Sequence, residues 1–168
     1  MRRLSLIAAS AALLLGLAAQ PAAARQPGPT IVETALAVNA DSGEFDYLIQ
    51  AVVKAGLVDT LNGNRQFTVF APTDAAFEDL FAALGVDGIA DIDVATLKAV
   101  LLYHVAHGER FSDDVVASSR IRTVSNGFVV LSVQNGGAYV NDARIVAADI
   151  DVSNGVIHVI DAVLLPGS

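Results

Sequence analysis

Hydrophobic positions along this 168-residue chain follow two rhythms, one in each half. From Thr30 to about Gly108 they recur at helical spacing. Thr30 is placed to cap a first helix over Ile31–Val38, with Glu33 in the first turn, where the helix dipole favours an acid. Asp41 and Glu44 have capping-box spacing for a second helix. Its apolar stripe is Phe45, Leu48, Ile49, Val52 and Val53, and Gly56 ends it. Gln66 to Ala71 reads as a buried strand stopped by Pro72, because Phe67, Val69 and Phe70 are strong strand formers. Thr73 or Asp74 then caps a helix with the stripe Phe77, Leu80, Phe81 and Leu84, closed by Gly85. A fourth helix is expected from Asp93, carrying Leu97, Val100, Leu101, His104 and Val105 and ending near Gly108.

From Ile121 onward the rhythm shortens. Strand-like runs are separated by Asn126-Gly127, Asn135-Gly136-Gly137, Asn141-Asp142 and Asn154-Gly155. Asn-Gly between apolar runs is the strongest short-range hairpin signal. A helical N-terminal half packed on a β-rich, hairpin-containing C-terminal half is an α+β fold, with the early strand joining the later sheet.

The first residues read differently. Arg2-Arg3, the apolar run Leu4–Leu17 and Ala22-Ala23-Ala24 have the order of a secretory signal, with cleavage expected after Ala24. Residues 25–29 are then a short linker and residues 30–168 one domain. Removing 24 residues from 168 leaves a mature chain of 144, enough for one core and lacking any further run long enough to cross a bilayer. The chain has no cysteine, so packing alone must hold an exported domain together. No Asn-x-Ser/Thr sequon occurs.

Charge narrows the partners. The whole chain stands at −8 and the leader carries only Arg2 and Arg3, so the mature chain stands at −10. Such a domain repels phosphate backbones, which sets nucleic acid aside. A secreted or periplasmic monomer is expected.

Two blocks carry the strongest pattern. Thr68-Val-Phe-Ala-Pro-Thr-Asp-Ala-Ala-Phe77 reads as a strand, a proline turn and a capped helix. Asn154-Gly-Val-Ile-His-Val-Ile-Asp-Ala-Val-Leu-Leu-Pro166 reads as a hairpin turn and a central strand, apolar on both faces from Val156 to Leu165 and interrupted by His158 and Asp161. Thr68, Phe70, Pro72, Asp74, Phe77, Asn154, Gly155, His158 and Asp161 are read as structural: core, turn, cap, or buried polar groups that need partners.

With the Tyr103-His104 pair between them, these blocks resemble the two signature blocks of the fasciclin domain. The resemblance runs from about Thr30 to Pro166. It implies a mixed sheet in a wedge and a cell-adhesion or surface-interaction module. Such a module would engage an extracellular or envelope protein or polysaccharide through loops and edge strands, and would be neither an enzyme nor a cofactor carrier. It also implies that Tyr103 and His104 serve integrity first and partner contact second, and that Asp149-Ile150 occupies the place of a receptor-contact pair.

One other constellation has chemical potential. His104 and His107, three apart on a presumed helix with Glu109 beyond, have the spacing of a metal pair, which gives an exported metal-binding protein or hydrolase as the alternative.

Overall fold

The computed structural model describes residues 28–166. The expected signal peptide and all but the last two residues of the linker lie outside the described residues.

The order of elements is α1 (Ile31–Ser42), α2 (Asp46–Lys54), α3 (Val58–Leu61), β1 (Phe67–Pro72), α4 (Asp74–Leu84), a 3₁₀ turn (Ile89–Asp91), α5 (Val94–Tyr103), β2 (Val105–His107), α6 (Ser112–Ala117), β3 (Arg120–Arg122), β4 (Phe128–Gln134), β5 (Gly137–Val140), β6 (Ala143–Val152) and β7 (Gly155–Ile160). The strands form one seven-stranded sheet in the order β2-β1-β7-β6-β5-β4-β3. Only β1 and β7 run parallel, residue for residue from Phe67↔Gly155 to Pro72↔Ile160. The expected α+β fold with a mixed sheet is what forms.

The two edges of that sheet curl towards each other. Ala106 bridges Thr123, and the Val124 amide donates to the Val105 carbonyl at 2.7 Å. The result is a nearly closed barrel. Its interior holds Phe70, Val115, Ile121, Val129, Leu131, Val140 and Ile160. Strand alternation sends Phe67, Val69, Ala71, Ile157 and Val159 to the opposite side, where they pack with residues of α1, α2, α4 and α5. So β1 and β7 are buried on both faces, as the apolar run Val156–Ile160 requires.

All four Asn-centred turns fall where expected. Asn126, Asn135 and Asn141 take positive φ, the conformation Asn tolerates best among residues with a side chain.

Four expectations are corrected. The first helix runs to Ser42 and stops at Gly43, which is left-handed at φ 67°. Asp41 therefore lies inside α1, and no capping box starts α2. Instead the Asp74 carboxylate, 27 and 28 residues away, accepts the Tyr47 and Asp46 amides at 2.9 and 3.2 Å. Thr73 caps its own helix through the Ala76 amide. Asp74 thus caps a neighbouring helix, α2, and fixes the α2–α4 junction. The fourth helix ends at Tyr103, and Val105–His107 turn into an edge strand beside β1. The last strand ends at Ile160, so Ala162–Pro166 leave the sheet. The short helices α3 and α6, of four and six residues, are too brief for a periodic signal.

The position of Asp74 gives a distinctive test. Asp74→Ala should cost about 1–2 kcal/mol, the usual loss of a helix cap. Amide exchange should accelerate at Asp46 and Tyr47 in α2. Faster exchange confined to the first turn of α4 would refute the cross-helix cap.

Candidate functional site

Tyr103 and His104 close α5, and both side chains are inside. His104 is 2% exposed. Its Nδ1 lies 2.7 Å from the Val100 carbonyl oxygen, which can only accept, so Nδ1 carries the proton. Its Nε2 accepts the Leu164 amide at 2.8 Å. Both ring nitrogens are committed to backbone, which ties the C-terminal segment to α5. Burial drives the imidazole pKa from 6.5 down to about 4, although the hydrogen bond to Val100 works the other way. The ring is neutral and has no lone pair left for a metal. Tyr103 donates its hydroxyl to the Phe128 carbonyl at 2.7 Å and accepts from Asn141, joining α5 to the turns around β4.

His158 sits on β7 inside the barrel, stacked on Phe70 with ring centroids 5.7 Å apart. Its Nε2 donates to the Arg110 carbonyl at 2.7 Å, and its Nδ1 faces the Asp149 amide at 3.4 Å. Burial lowers its pKa, opposed by the Arg110 hydrogen bond and by the Asp149 charge. Thr68, in the next strand, donates to the Gly108 carbonyl and accepts the Arg110 amide at 2.8 and 2.9 Å.

Asp149 occupies a bulge in β6, where the register against β7 skips between Ala147 and Ile150. It takes φ 59° and turns its carboxylate onto Ser112, accepting the backbone amide at 2.6 Å and the hydroxyl. Partial desolvation would raise its pKa, but these two Ser112 bonds and nearby His158 outweigh that and hold it below 3.8. Ile150 is half-buried and packs on the helical side of the sheet.

Thr68, His158 and Asp149 therefore act on one segment. Together they stitch residues 108–112, which lead into α6, onto the sheet. The structure brings these three together and leaves His104 as a separate anchor for the C-terminal segment, with Tyr103 tying α5 to β4.

Asn154 is a third anchor. Its side-chain oxygen accepts the Ile31 amide at the start of α1 at 2.9 Å, and its amide group donates to the Leu61 carbonyl. Asp161 is exposed beyond β7, where it accepts the Arg144 amide at 2.8 Å and joins the start of β6 to the end of β7. Phe70 and Phe77 are fully buried, one on each side of the sheet.

Two residues escaped the sequence reading. Lys54 donates to the Ile89, Ala90 and Ile92 carbonyls at 2.7, 2.8 and 2.8 Å, clamping the 3₁₀ turn to α2. A lone Lys in a last helical turn was the only signal. Asn39 accepts the Phe45 amide at 2.8 Å and donates to Asp46, helping Asp74 start α2.

The metal alternative loses its geometry. His107 is the exposed last residue of β2, its ring 6.2 Å from that of Phe67, while His104 faces the core with both nitrogens engaged. Among the described residues no group of three metal-ligating side chains converges. No helix of the described residues is long and apolar enough to cross a membrane.

Comparison with known proteins bears on this arrangement. The model of the fasciclin domain matches residues 43–166. Protein sll1483 of Synechocystis sp. is 38% identical over 144 residues, covering 86% of this chain and 77% of that one. Transforming growth factor-beta-induced protein ig-h3 of Sus scrofa is 34% identical over 133 residues, 79% of this chain and 19% of that longer protein. Immunogenic protein MPB70 of Mycobacterium bovis is 34% identical over 113 residues, 67% of this chain and 56% of its own. The FAS1 domain pair of the insect cell adhesion molecule Fasciclin I superimposes with a TM-score of 0.66 at 19% identity; 81% of this chain is covered, and the match spans half the length of that pair. With the model match running from the end of α1 through the last anchor at Leu164, this chain belongs to the fasciclin domain family.

Proposed function

We propose that the protein is an exported, non-enzymatic adhesion or surface-interaction module that presents one face of its barrel to an anionic partner, a protein or a polysaccharide of the envelope or matrix. The observation that carries this reading is the face the helices leave uncovered. Register places Arg120, Arg122, Phe128, Val130, Tyr139 and Arg144 on one side of β3–β6, opposite the barrel-interior residues Ile121, Val129 and Val140. Phe128 and Val130 are 50% and 55% exposed. Arg120 lies over the Phe128 ring at 5.2 Å. Arg122 donates to the Asn126 side chain at 3.0 Å.

Three cations grouped with aromatic side chains on a chain of net charge −8 make a local reversal of sign. Such a patch attracts acidic groups. Arg and aromatic side chains are also the types enriched in interface cores. The relatives support the class: Fasciclin I is a cell adhesion molecule, and the related MPB83 is a cell surface glycolipoprotein. Tyr103, through Phe128, and Asp149, through the bulge in β6, serve this surface as positioning residues. The leader read in residues 1–24 would deliver the domain to the periplasm or beyond.

The test is binding of purified protein to envelope and matrix preparations. The triple variant Arg120→Glu, Arg122→Glu, Arg144→Glu should lose at least about tenfold in affinity, and wild-type binding should weaken as salt rises. Lys98→Glu, at an exposed position of α5, should bind as wild type. Equal binding by the triple variant would sink the assignment of this face.

A further inference from the structure

We propose that Asn135, at the tip of the β4–β5 hairpin, is a site of spontaneous deamidation, and that the carboxylate it gains weakens the arginine-bearing face beside it. The second half rests on the docking role of that face; the first does not.

Asn followed by Gly is a chemically labile pair, because Gly has no Cβ to keep its backbone nitrogen away from the Asn side chain. The chain has four such pairs: Asn62-Gly63, Asn126-Gly127, Asn135-Gly136 and Asn154-Gly155. The fold holds three of them. Asn62 Oδ1 accepts the Thr30 hydroxyl at 2.8 Å. Asn126 Oδ1 accepts from Arg122 at 3.0 Å, and Gly127 lies so close to the Tyr103 ring that a Cβ would come within 2.7 Å of it. Asn154 is buried with both ends of its amide bonded, to the Ile31 amide and the Leu61 carbonyl. Asn135 alone of the four has no side-chain hydrogen bond among the described residues.

The tip is also the most lightly held. Asn135 and Gly136 take φ of 51° and 79°, a two-residue turn, and Gln134, Asn135 and Gly136 are all exposed. β6 pairs only with Tyr139 and Val140 of β5, so Gly137 and Ala138 are paired on one side alone, to β4. An exposed turn of this kind opens at low cost. In the open tip the Gly136 nitrogen, losing its proton, bonds to Cγ of Asn135. The Cγ–Nδ2 bond breaks and ammonia leaves. Water then opens the five-membered imide at either carbonyl, giving Asp or isoAsp.

Either product places a negative charge near Arg144. Gly137 lies against that side chain, since a Cβ built on it would be 3.3 Å from Arg144 Nε. Asn135 is two residues from Gly137, about 7 Å along a strand. That is comparable with the screening length of about 8 Å at physiological salt, so the new charge is felt at Arg144. The isoAsp product also lengthens the backbone of the turn by one carbon, which loosens the hairpin that positions Tyr139.

Purified protein incubated in mildly alkaline buffer should release ammonia. Peptide mapping by mass spectrometry should find Asp and isoAsp accumulating at position 135 at least about fivefold faster than at 62, 126 or 154, the slowing that one hydrogen bond on the amide imposes. Asn135→Gln should remove the fast site, and in urea-unfolded protein the four rates should converge. Binding is read on a carboxymethyl-dextran surface at low salt. Asn135→Asp should bind about two- to threefold more weakly than wild type. Asn64→Asp, which adds the same charge at an exposed position before β1, should match wild type. Modification at 135 no faster than at the other three, or rates that stay apart on unfolding, would overturn the site. Equal binding by Asn135→Asp and Asn64→Asp would overturn its effect on the face. If the triple arginine variant also binds this surface as wild type does, the docking role itself fails and takes the second half with it, while the mapping still decides the first.

Discussion

Gly155→Ala is expected to cost about 4 kcal/mol or more, placing it in the small class of substitutions that exceed the usual range. A Cβ built on Gly155 would lie 1.9 Å from the Phe67 carbonyl oxygen and 2.9 Å from its carbon. Both obstructing atoms are backbone, so no side-chain rotation can relieve the clash. Phe67 pairs with Gly155 at the start of the one parallel ladder, between two strands that are both flanked by others. To admit a methyl group, β1 must separate from β7, and these two strands carry residues of both cores. The same corner holds Asn154 against the Ile31 amide, so the start of α1 would loosen with it. Urea denaturation measures the loss: at a typical dependence of about 2 kcal/mol/M the midpoint should fall by about 2 M. Gly85→Ala is the control. It has open space around the new Cβ and only a left-handed φ of 68° to strain, so about 1 kcal/mol is expected. A Gly155→Ala variant no weaker than that control would show that the ladder adapts.

The second large effect is on pH. His104 in the folded chain has a pKa of about 4, against 6.5 for a free imidazole. Between those values the unfolded chain takes up a proton that the folded chain refuses. Stability is therefore complete above about pH 6.5 and drains as pH falls towards 4. A difference of this size corresponds to about 3 kcal/mol from His104 alone. His158 is lowered as well and adds in the same direction. Asp149, held below its ordinary 3.8, also favours the folded chain, but its contribution is lost only in still more acid solution.

Urea midpoints at pH 7, 6 and 5 should decline progressively, before the carboxylates titrate. His104→Ala should be destabilised by about 3 kcal/mol at pH 7, since it orphans the Leu164 amide and leaves a cavity. Its remaining pH dependence should be shallower than that of wild type. His107→Gln, at the exposed end of β2, should leave stability at pH 7 within about 0.5 kcal/mol. A flat profile from pH 7 to 5 in the wild type would contradict the buried neutral histidines.

How far these effects are legible in the sequence depends on range. Thr30 caps α1 as read, with Glu33 closing a capping box the sequence reading placed at Asp41 and Glu44 instead, and the Asn-centred turns form as read, because each is complete within four residues or so. The burial of β7 is visible in its unbroken apolar run. The inward face of His104 follows from its spacing to Leu97 and Leu101. Asp74 shows the limit. As a residue type it reads as a cap, and it is one, but for α2 and not for α4. His107 shows another. Helical spacing carried the fourth helix past Tyr103, yet the chain breaks at His104, whose ring holds Leu164, 60 residues away. Pairing with β1 then takes Val105–His107 into the sheet. The resemblance marked His158 and Asp149, but nothing near them in sequence shows that they meet the segment 108–112.

The sequence by itself determined the family, the kinds of element, the turns between β-strands and which strand lies at the centre. Those follow from periodicity, capping residues and backbone preference, all set by neighbours a few positions apart. Only the tertiary structure decided that the sheet closes almost to a barrel, that helices cover one side and leave Arg120, Arg122 and Arg144 on the other, and that an apolar cavity opens beside α1. These depend on contacts between residues tens of positions apart, whose meeting is fixed by the path of the whole chain and not by any local pattern.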